Sequence, residues 1–112
     1  MAWTKITKTE DIPLREGRCL EIGRKEIAVF HLRDKFVAID NRCPHDQGPL
    51  CDGIVKGTTV VCPLHGWNVN LETGKVSKPD VPAGVRTYPV RVKDGLIEID
   101  LSALTEVEEE AA

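Results

Sequence analysis

A cysteine followed closely by a histidine occurs twice in this chain, and this repetition constrains its fold more than any other feature. The first pair is Cys43-x-His45 in the segment CPHDQGPL, and the second, after sixteen intervening residues, is Cys62-x-x-His65 in CPLHGW. Thiolate and imidazole are the side chains best suited to borderline and soft metals. Two loops that each supply one of each would provide four ligands. We therefore expect the fold to bring the two loops together around a metal.

Proline and glycine flank both pairs, as suits metal-binding loops. Pro44 and Pro63 directly follow the cysteines and stiffen the turns, while Gly48 and Gly66 allow backbone conformations that other residues resist. Zinc accepts two cysteines and two histidines, but its usual sites place the cysteines together and the histidines together. A binuclear iron–sulfur cluster fits this mixture better, because one iron can take both cysteines and the other both histidines.

Short apolar runs separated by turn residues predict that the remainder of the chain is all-β. Asp94-Gly95 is a strong two-residue hairpin signal, and Arg33-Asp34 separates two runs rich in β-branched and aromatic residues. No helical period is sustained for eleven residues in the body of the chain. We predict an antiparallel β-sandwich or barrel whose strands include RCLEI, KEIAVFHL, KFVAID, TTVVC, WNVNLETGK, RTYPVRV and LIEID.

Residues 41–85 differ in composition from the rest of the chain, since they hold five of the seven prolines and six of the nine glycines. We predict one domain over residues 1–112. Its strand-built base covers about 1–40 and 86–104, a loop-rich cluster-binding subdomain covers about 41–85, and an acidic tail covers 105–112.

Composition narrows the functional classes. Hydrophobic residues make up 41% and charged residues 29%, which is an ordinary globular balance, and the net charge of −3 argues against nucleic acid as the main partner. No stretch approaches the ~20 apolar residues that cross a bilayer, and the N-terminal segment has no apolar signal region. We expect a soluble cytoplasmic protein that does not bind membranes. We also expect Cys19 and Cys51 to be buried or half-buried, and His31 to be a strand-face residue and not a ligand.

The two motifs, with their spacing and flanking residues, resemble the signature of Rieske proteins, and CPHDQGPL and CPLHGW resemble the forms found in soluble Rieske ferredoxins. The resemblance implies a Rieske-like antiparallel base with an inserted cluster-binding subdomain. It also implies a 2Fe–2S cluster in which Cys43 and Cys62 bind the inner iron and His45 and His65 bind the outer iron.

Residues 12–45 and 70–92 further resemble the small subunit of assimilatory NAD(P)H-dependent nitrite reductase. That resemblance implies an electron-transfer component with no catalytic pocket of its own. Its partner would be a large subunit bearing flavin, a 4Fe–4S cluster and sirohaem, which reduces nitrite to ammonium. One alternative is a free-standing Rieske ferredoxin that serves a ring-hydroxylating oxygenase. Another is a non-redox zinc-binding or scaffold module.

Compared with respiratory Rieske proteins, the chain departs at positions that affect the cluster. Leu64 stands where those proteins carry a clamp cysteine, and Trp67 and Val69 stand where they carry hydroxyl groups. Fewer hydrogen bonds to cluster sulfur stabilise the reduced state less. This predicts a midpoint potential at the low end of the Rieske range.

Overall fold

Short antiparallel strands make up nearly all of the regular structure. A computed structural model of the chain describes residues 3–22, 25–33, 35–42, 49–64, 66–78 and 81–101. In these ranges there are two 3-10 helices, Thr9–Asp11 and Leu50–Asp52, and eleven strands: β1 Trp3–Lys8, β2 Gly17–Ile22, β3 Lys25–His31, β4 Phe36–Asp40, β5 Ile54–Lys56, β6 Thr59–Val61, β7 Asn68–Asn70, β8 Val76–Lys78, β9 Thr87–Tyr88, β10 Val90–Lys93 and β11 Leu96–Asp100. The predicted all-β class is confirmed.

The strands form three sheets, each named here by its position. The terminal sheet has the order β1–β11–β10, the middle sheet β2–β3–β4–β9, and the loop sheet β5–β6–β7–β8. Every pairing within them is antiparallel. The loop sheet is built from consecutive strands, so it forms by successive short hairpins after the chain leaves the middle sheet.

The middle sheet has a hydrophobic core on each face. The core toward the terminal sheet contains the buried residues Ile12, Ile27, Val29, Ala38, Tyr88, Ile97, Ile99 and Leu101. The core toward the loop sheet contains the buried residues Ala28, Phe30, Leu32, Ile39, Leu50, Val60, Cys62, Val69, Leu71 and Val76. Successive side chains of a strand point to opposite faces, so β3 contributes to both cores. This explains why its sequence is a nearly continuous apolar run and not a clean alternation.

The hairpin predicted at Asp94-Gly95 is confirmed. Both residues have positive φ, 53° and 77°, as a tight two-residue turn between twisted strands requires. β10 and β11 pair directly across this turn.

The segment RTYPVRV is two strands and not the single strand predicted. β9 pairs with β4 in the middle sheet, whereas β10 pairs with β11 in the terminal sheet. Pro89 lies between them and has no backbone N–H to donate, so the ladder is interrupted there. Its carbonyl oxygen accepts a hydrogen bond from Asp100 N at 3.0 Å. The chain therefore crosses from one sheet to the next at this proline.

Three observed strands, β1, β5 and β8, have no counterpart among the predicted ones. Most of their side chains are exposed or half-buried. Apolar periodicity is therefore weak in these segments, and their strand conformation is stabilised by pairing with a neighbour in the sheet.

Within the described part of the chain, no helix is long and apolar enough to cross a bilayer. The predicted acidic tail falls within residues 102–112, which lie outside the described residues. The predicted division into base and cluster-binding subdomain stays a prediction.

Candidate metal centre

The first predicted ligand loop is bounded by residues that contact one another. Leu50 N donates a hydrogen bond to the Asn41 carbonyl oxygen at 2.7 Å, and Arg42 and Pro49 form an isolated antiparallel bridge. Strand β4 leads into these contacts, and the 3-10 helix Leu50–Asp52 leads away from them. The predicted ligands Cys43 and His45 fall between, within residues 43–48, outside the described residues. The fold thus holds the two ends of this segment together.

The second predicted ligand loop turns back on itself. Cys62 N donates to the Trp67 carbonyl oxygen at 2.7 Å, and Gly66 N donates to the Cys62 carbonyl oxygen at 3.1 Å. The φ of +73° at Gly66 lies in the left-handed region that favours glycine. Cys62 is only 2% exposed, whereas Leu64 is 55% exposed. His65, the other predicted ligand, lies outside the described residues.

The surroundings of Cys62 suit a cysteine that binds an iron–sulfur cluster. Its side chain lies in the same core as Leu50, the residue that follows the first loop. The bases of both loops therefore meet on one apolar core. Cluster irons are bound by thiolates, and an apolar shell around them limits access of water.

The described residues hold only one of the four predicted ligands. Among the described residues, no group of three or more His, Cys, Asp or Glu side chains is placed to hold a metal ion. The assignment of the cluster ligands to Cys43, His45, Cys62 and His65 therefore stays a prediction.

Asn41 joins the residues on either side of the first loop to the middle sheet. It is 1% exposed, and its side-chain nitrogen donates to Glu26 Oε2 at 3.1 Å and to Cys19 Sγ at 3.2 Å. Its side-chain oxygen accepts from Cys51 N at 2.8 Å. The Asn41 hydrogen bond and the ion pair with Arg42 lower the pKa of Glu26. One amide thus links the start of the loop, its exit and the middle sheet.

Asp40, the last residue of β4, anchors the return of the chain to the middle sheet. The Tyr88 hydroxyl donates to Asp40 Oδ1 at 2.5 Å, and Arg86 N donates to Asp40 Oδ2 at 3.4 Å. Burial, and then the hydrogen bond to Asp40 and its charge, raise the pKa of Tyr88. Tyr88 therefore stays protonated and remains a donor at neutral pH.

Three other residues were considered in the sequence, and two of them lie where we expected. His31 lies on a strand, where its Nδ1 donates to the Ile12 carbonyl oxygen at 2.8 Å and its ring stacks on Phe36. Cys51 is half-buried, as expected. Cys19 is exposed, which contradicts the expectation, and its thiol lies beside Glu26 Oε2 at 3.6 Å.

Sequence reasoning missed Asn41 and Tyr88. Asn41 ends an apolar run directly before a loop, a position from which asparagine often bonds nearby backbone, so a signal for it existed. Tyr88 and Asp40 are 48 residues apart, and no local pattern marks such a pair.

Comparisons with known proteins agree with this geometry. Residues 2–100 match the family described as the Rieske-like [2Fe-2S] domain. A 3-phenylpropionate/cinnamic acid dioxygenase ferredoxin subunit of Escherichia coli O139:H28 (strain E24377A / ETEC) is 39% identical over 93 residues, covering 81% of this chain and 86% of that protein.

Solved structures share the fold. The ferredoxin of carbazole 1,9a-dioxygenase from Nocardioides aromaticivorans IC177 superimposes with a TM-score of 0.82 at 22% identity, covering 88% of this chain and 97% of that one. The Escherichia coli protein NirD superimposes with a TM-score of 0.77 at 28% identity, covering 87% and 94%. The chain thus belongs to the family of Rieske-like [2Fe-2S] domains, carries a Rieske-type 2Fe–2S cluster and functions in electron transfer.

Proposed function

We propose that Cys43, His45, Cys62 and His65 hold the cluster, with the cysteines on one iron and the histidines on the other. The observation that supports this most directly is the burial of Cys62 in a core shared with the exit of the first loop. When bound, such a cluster accepts and releases one electron, and its mixed ligation raises the potential above that of four-cysteine clusters.

The ligand assignment is tested by EPR spectroscopy of the dithionite-reduced protein. We expect a Rieske signal with a low average g in the wild type and its loss in Cys62→Ser. Cys51→Ser is the matched control, because it removes a nearby cysteine outside the proposed set and should keep the signal. A Rieske signal that survives Cys62→Ser would refute the assignment.

We propose that the physiological partner is the large subunit of an NAD(P)H-dependent nitrite reductase. The proposal is supported by the resemblance of residues 12–45 and 70–92 to the small subunit of that enzyme, and by the 28% identity with NirD. In the fold these two segments are in contact: β9 pairs with β4, and Tyr88 bonds Asp40. The resembling regions therefore form one structural unit next to the first loop.

A reconstitution experiment tests this partner. The large subunit bearing flavin, a 4Fe–4S cluster and sirohaem is assayed for NAD(P)H-dependent formation of ammonium from nitrite, with and without the chain. We expect the rate to depend on the wild type and to fall with Cys62→Ser, while Cys51→Ser behaves as the wild type. A rate that does not depend on the chain would refute the proposal.

A second candidate is a ferredoxin that donates electrons to a ring-hydroxylating dioxygenase. The observation that favours it is the 39% identity with a dioxygenase ferredoxin subunit over four-fifths of the chain. Both candidates require the same domain, so identity in the shared fold does not separate them. Oxygen consumption by a reductase and oxygenase pair, stimulated by this chain, would support the dioxygenase role.

A further inference from the structure

Two cysteines outside the proposed ligand set lie together at the exit of the first loop. Cys19 is on β2, and Cys51 is in the 3-10 helix Leu50–Asp52. A Cβ at Gly17 would stand 3.1 Å from the Cys51 carbonyl oxygen, so this helix lies directly on β2. Residues two apart on a strand share a face, so the Cys19 side chain is on the face that the helix contacts.

One carboxamide group contacts both cysteines. Asn41 donates from Nδ2 to Cys19 Sγ at 3.2 Å and accepts at Oδ1 from Cys51 N at 2.8 Å. Disulfides form only between cysteines whose backbones are already close, and these contacts place the two residues side by side.

We propose that Cys19 and Cys51 are a redox modification site that forms a reversible disulfide when a small disulfide oxidant is present. The Cys19 sulfur attacks one sulfur of the oxidant, breaks its S–S bond and releases one thiol. The Cys51 sulfur then attacks the Cys19 sulfur of the mixed disulfide and releases the second thiol. Two cysteines lose two electrons and two protons, one S–S bond forms, and the oxidant becomes two thiols.

The environment favours Cys19 as the attacking residue. Its side chain is exposed, so an oxidant in solution can reach it. Its thiol donates to Glu26 Oε2 at 3.6 Å, and burial, together with this carboxylate, raises the pKa of Cys19, so the attack should be faster at higher pH. Asn41 Nδ2 donates a hydrogen bond to Cys19 Sγ, the sulfur that becomes a negatively charged thiolate when it attacks. Cys51 is half-buried, and burial is the main cause that raises its pKa to about 12, so it is the weaker nucleophile toward an oxidant in solution. Its attack is instead intramolecular, on the neighbouring mixed disulfide.

The disulfide would join β2 to the residue that leaves the first loop. Pro49 and Leu50 are the only residues between Cys51 and the undescribed segment 43–48. The bond would therefore fix the exit of that loop to the middle sheet. The inference requires no particular ligand set for the cluster.

The test treats the full-length, cluster-loaded protein with oxidised glutathione and then blocks free thiols. Digestion under non-reducing conditions uses trypsin together with a protease that cleaves before aspartate, which separates Cys43 from Cys51 at Asp46. We expect a Cys19 peptide linked to a Cys51 peptide, reversed by dithiothreitol. In Cys51→Ser we expect a stable glutathione adduct on Cys19 instead, and in Cys19→Ser neither product.

Two results would overturn the inference. One is a wild type that keeps the glutathione adduct on Cys19 without forming the cross-link, and the other is a wild type in which both thiols stay free. Blocking of Cys43 and Cys62 in the untreated, cluster-loaded protein would count against the ligand assignment alone, because the Cys19–Cys51 link is scored on different peptides.

Discussion

Replacing Asn41 should destabilise the protein and loosen the first loop. Asn41→Leu keeps a similar volume but removes the acceptor of the Cys51 N–H hydrogen bond, which is 2.8 Å long and joins the residues on either side of the loop. Leaving one such donor unsatisfied costs about 1–3 kcal/mol of unfolding free energy. Water can replace the donor to Cys19, whose side chain is exposed, so the loss of that hydrogen bond adds little.

The effect should also depend on pH. The pKa of Glu26 is lowered in the folded protein, first by the Asn41 hydrogen bond and then by Arg42. A lowered folded-state pKa adds stability above the unfolded pKa of about 4.3, and this stability is lost as pH falls through the folded value. The penalty of Asn41→Leu should therefore be larger at pH 7 than at pH 4.

Urea unfolding followed by tryptophan fluorescence measures both effects. The matched control is Asn68→Leu, because the half-buried Asn68 has no side-chain hydrogen bond to a described residue. Its free energy of unfolding should differ from that of the wild type by less than about 0.5 kcal/mol. If Asn41→Leu unfolds at the wild-type urea concentration at pH 7, the stabilising role of Asn41 is refuted. An equal penalty at both pH values would refute the coupling to Glu26.

Three further changes have defined outcomes. Arg91→Met removes the half-exposed guanidinium that bonds Glu98, whose side chain is 6% exposed, so urea unfolding should show a loss of about 1–3 kcal/mol that a second Glu98→Gln change reduces. A Cβ at Gly74 would stand 2.2 Å from a carbonyl oxygen at φ +79°, so Gly74→Ala should lower the thermal midpoint far more than Gly57→Ala, where φ is also positive but the space is open. A four-cysteine cluster has a potential near −400 mV, so His65→Cys should lower the midpoint in a redox titration from an initial value near the low Rieske limit of about −150 mV. An unchanged potential in the variant would remove His65 from the ligand set.

Local signals in the sequence predicted the parts of the fold that depend on local chemistry. The hairpin at Asp94-Gly95 followed from a dipeptide that tolerates positive φ, and β3 and β4 followed from apolar content. The break at Pro89 was predictable in principle from the missing N–H, but its consequence, a change of sheet, depends on which strand lies nearby.

The surroundings of the candidate site were less predictable because they depend on long-range packing. The burial of Cys62 follows from the assembly of two strand systems around its side chain. The contacts of Asn41 join residues from β2, β3 and the 3-10 helix after the first loop. The hydrophobic periodicity of a sequence does not predict contacts between segments so far apart. The exposure of Cys19 likewise depends on how the helix packs against β2.

Because β3 lies between two cores, we expect the described part of the chain to unfold as a single cooperative unit. Ile27 and Ala28 are adjacent in the chain, yet they support opposite layers. Thermal unfolding of the core toward the terminal sheet must also remove Ala28 and Phe30 from the core that contains Cys62. Amide protons of β3 should accordingly be the slowest to exchange, and the half that carries the metal loops should not persist as an independent fragment.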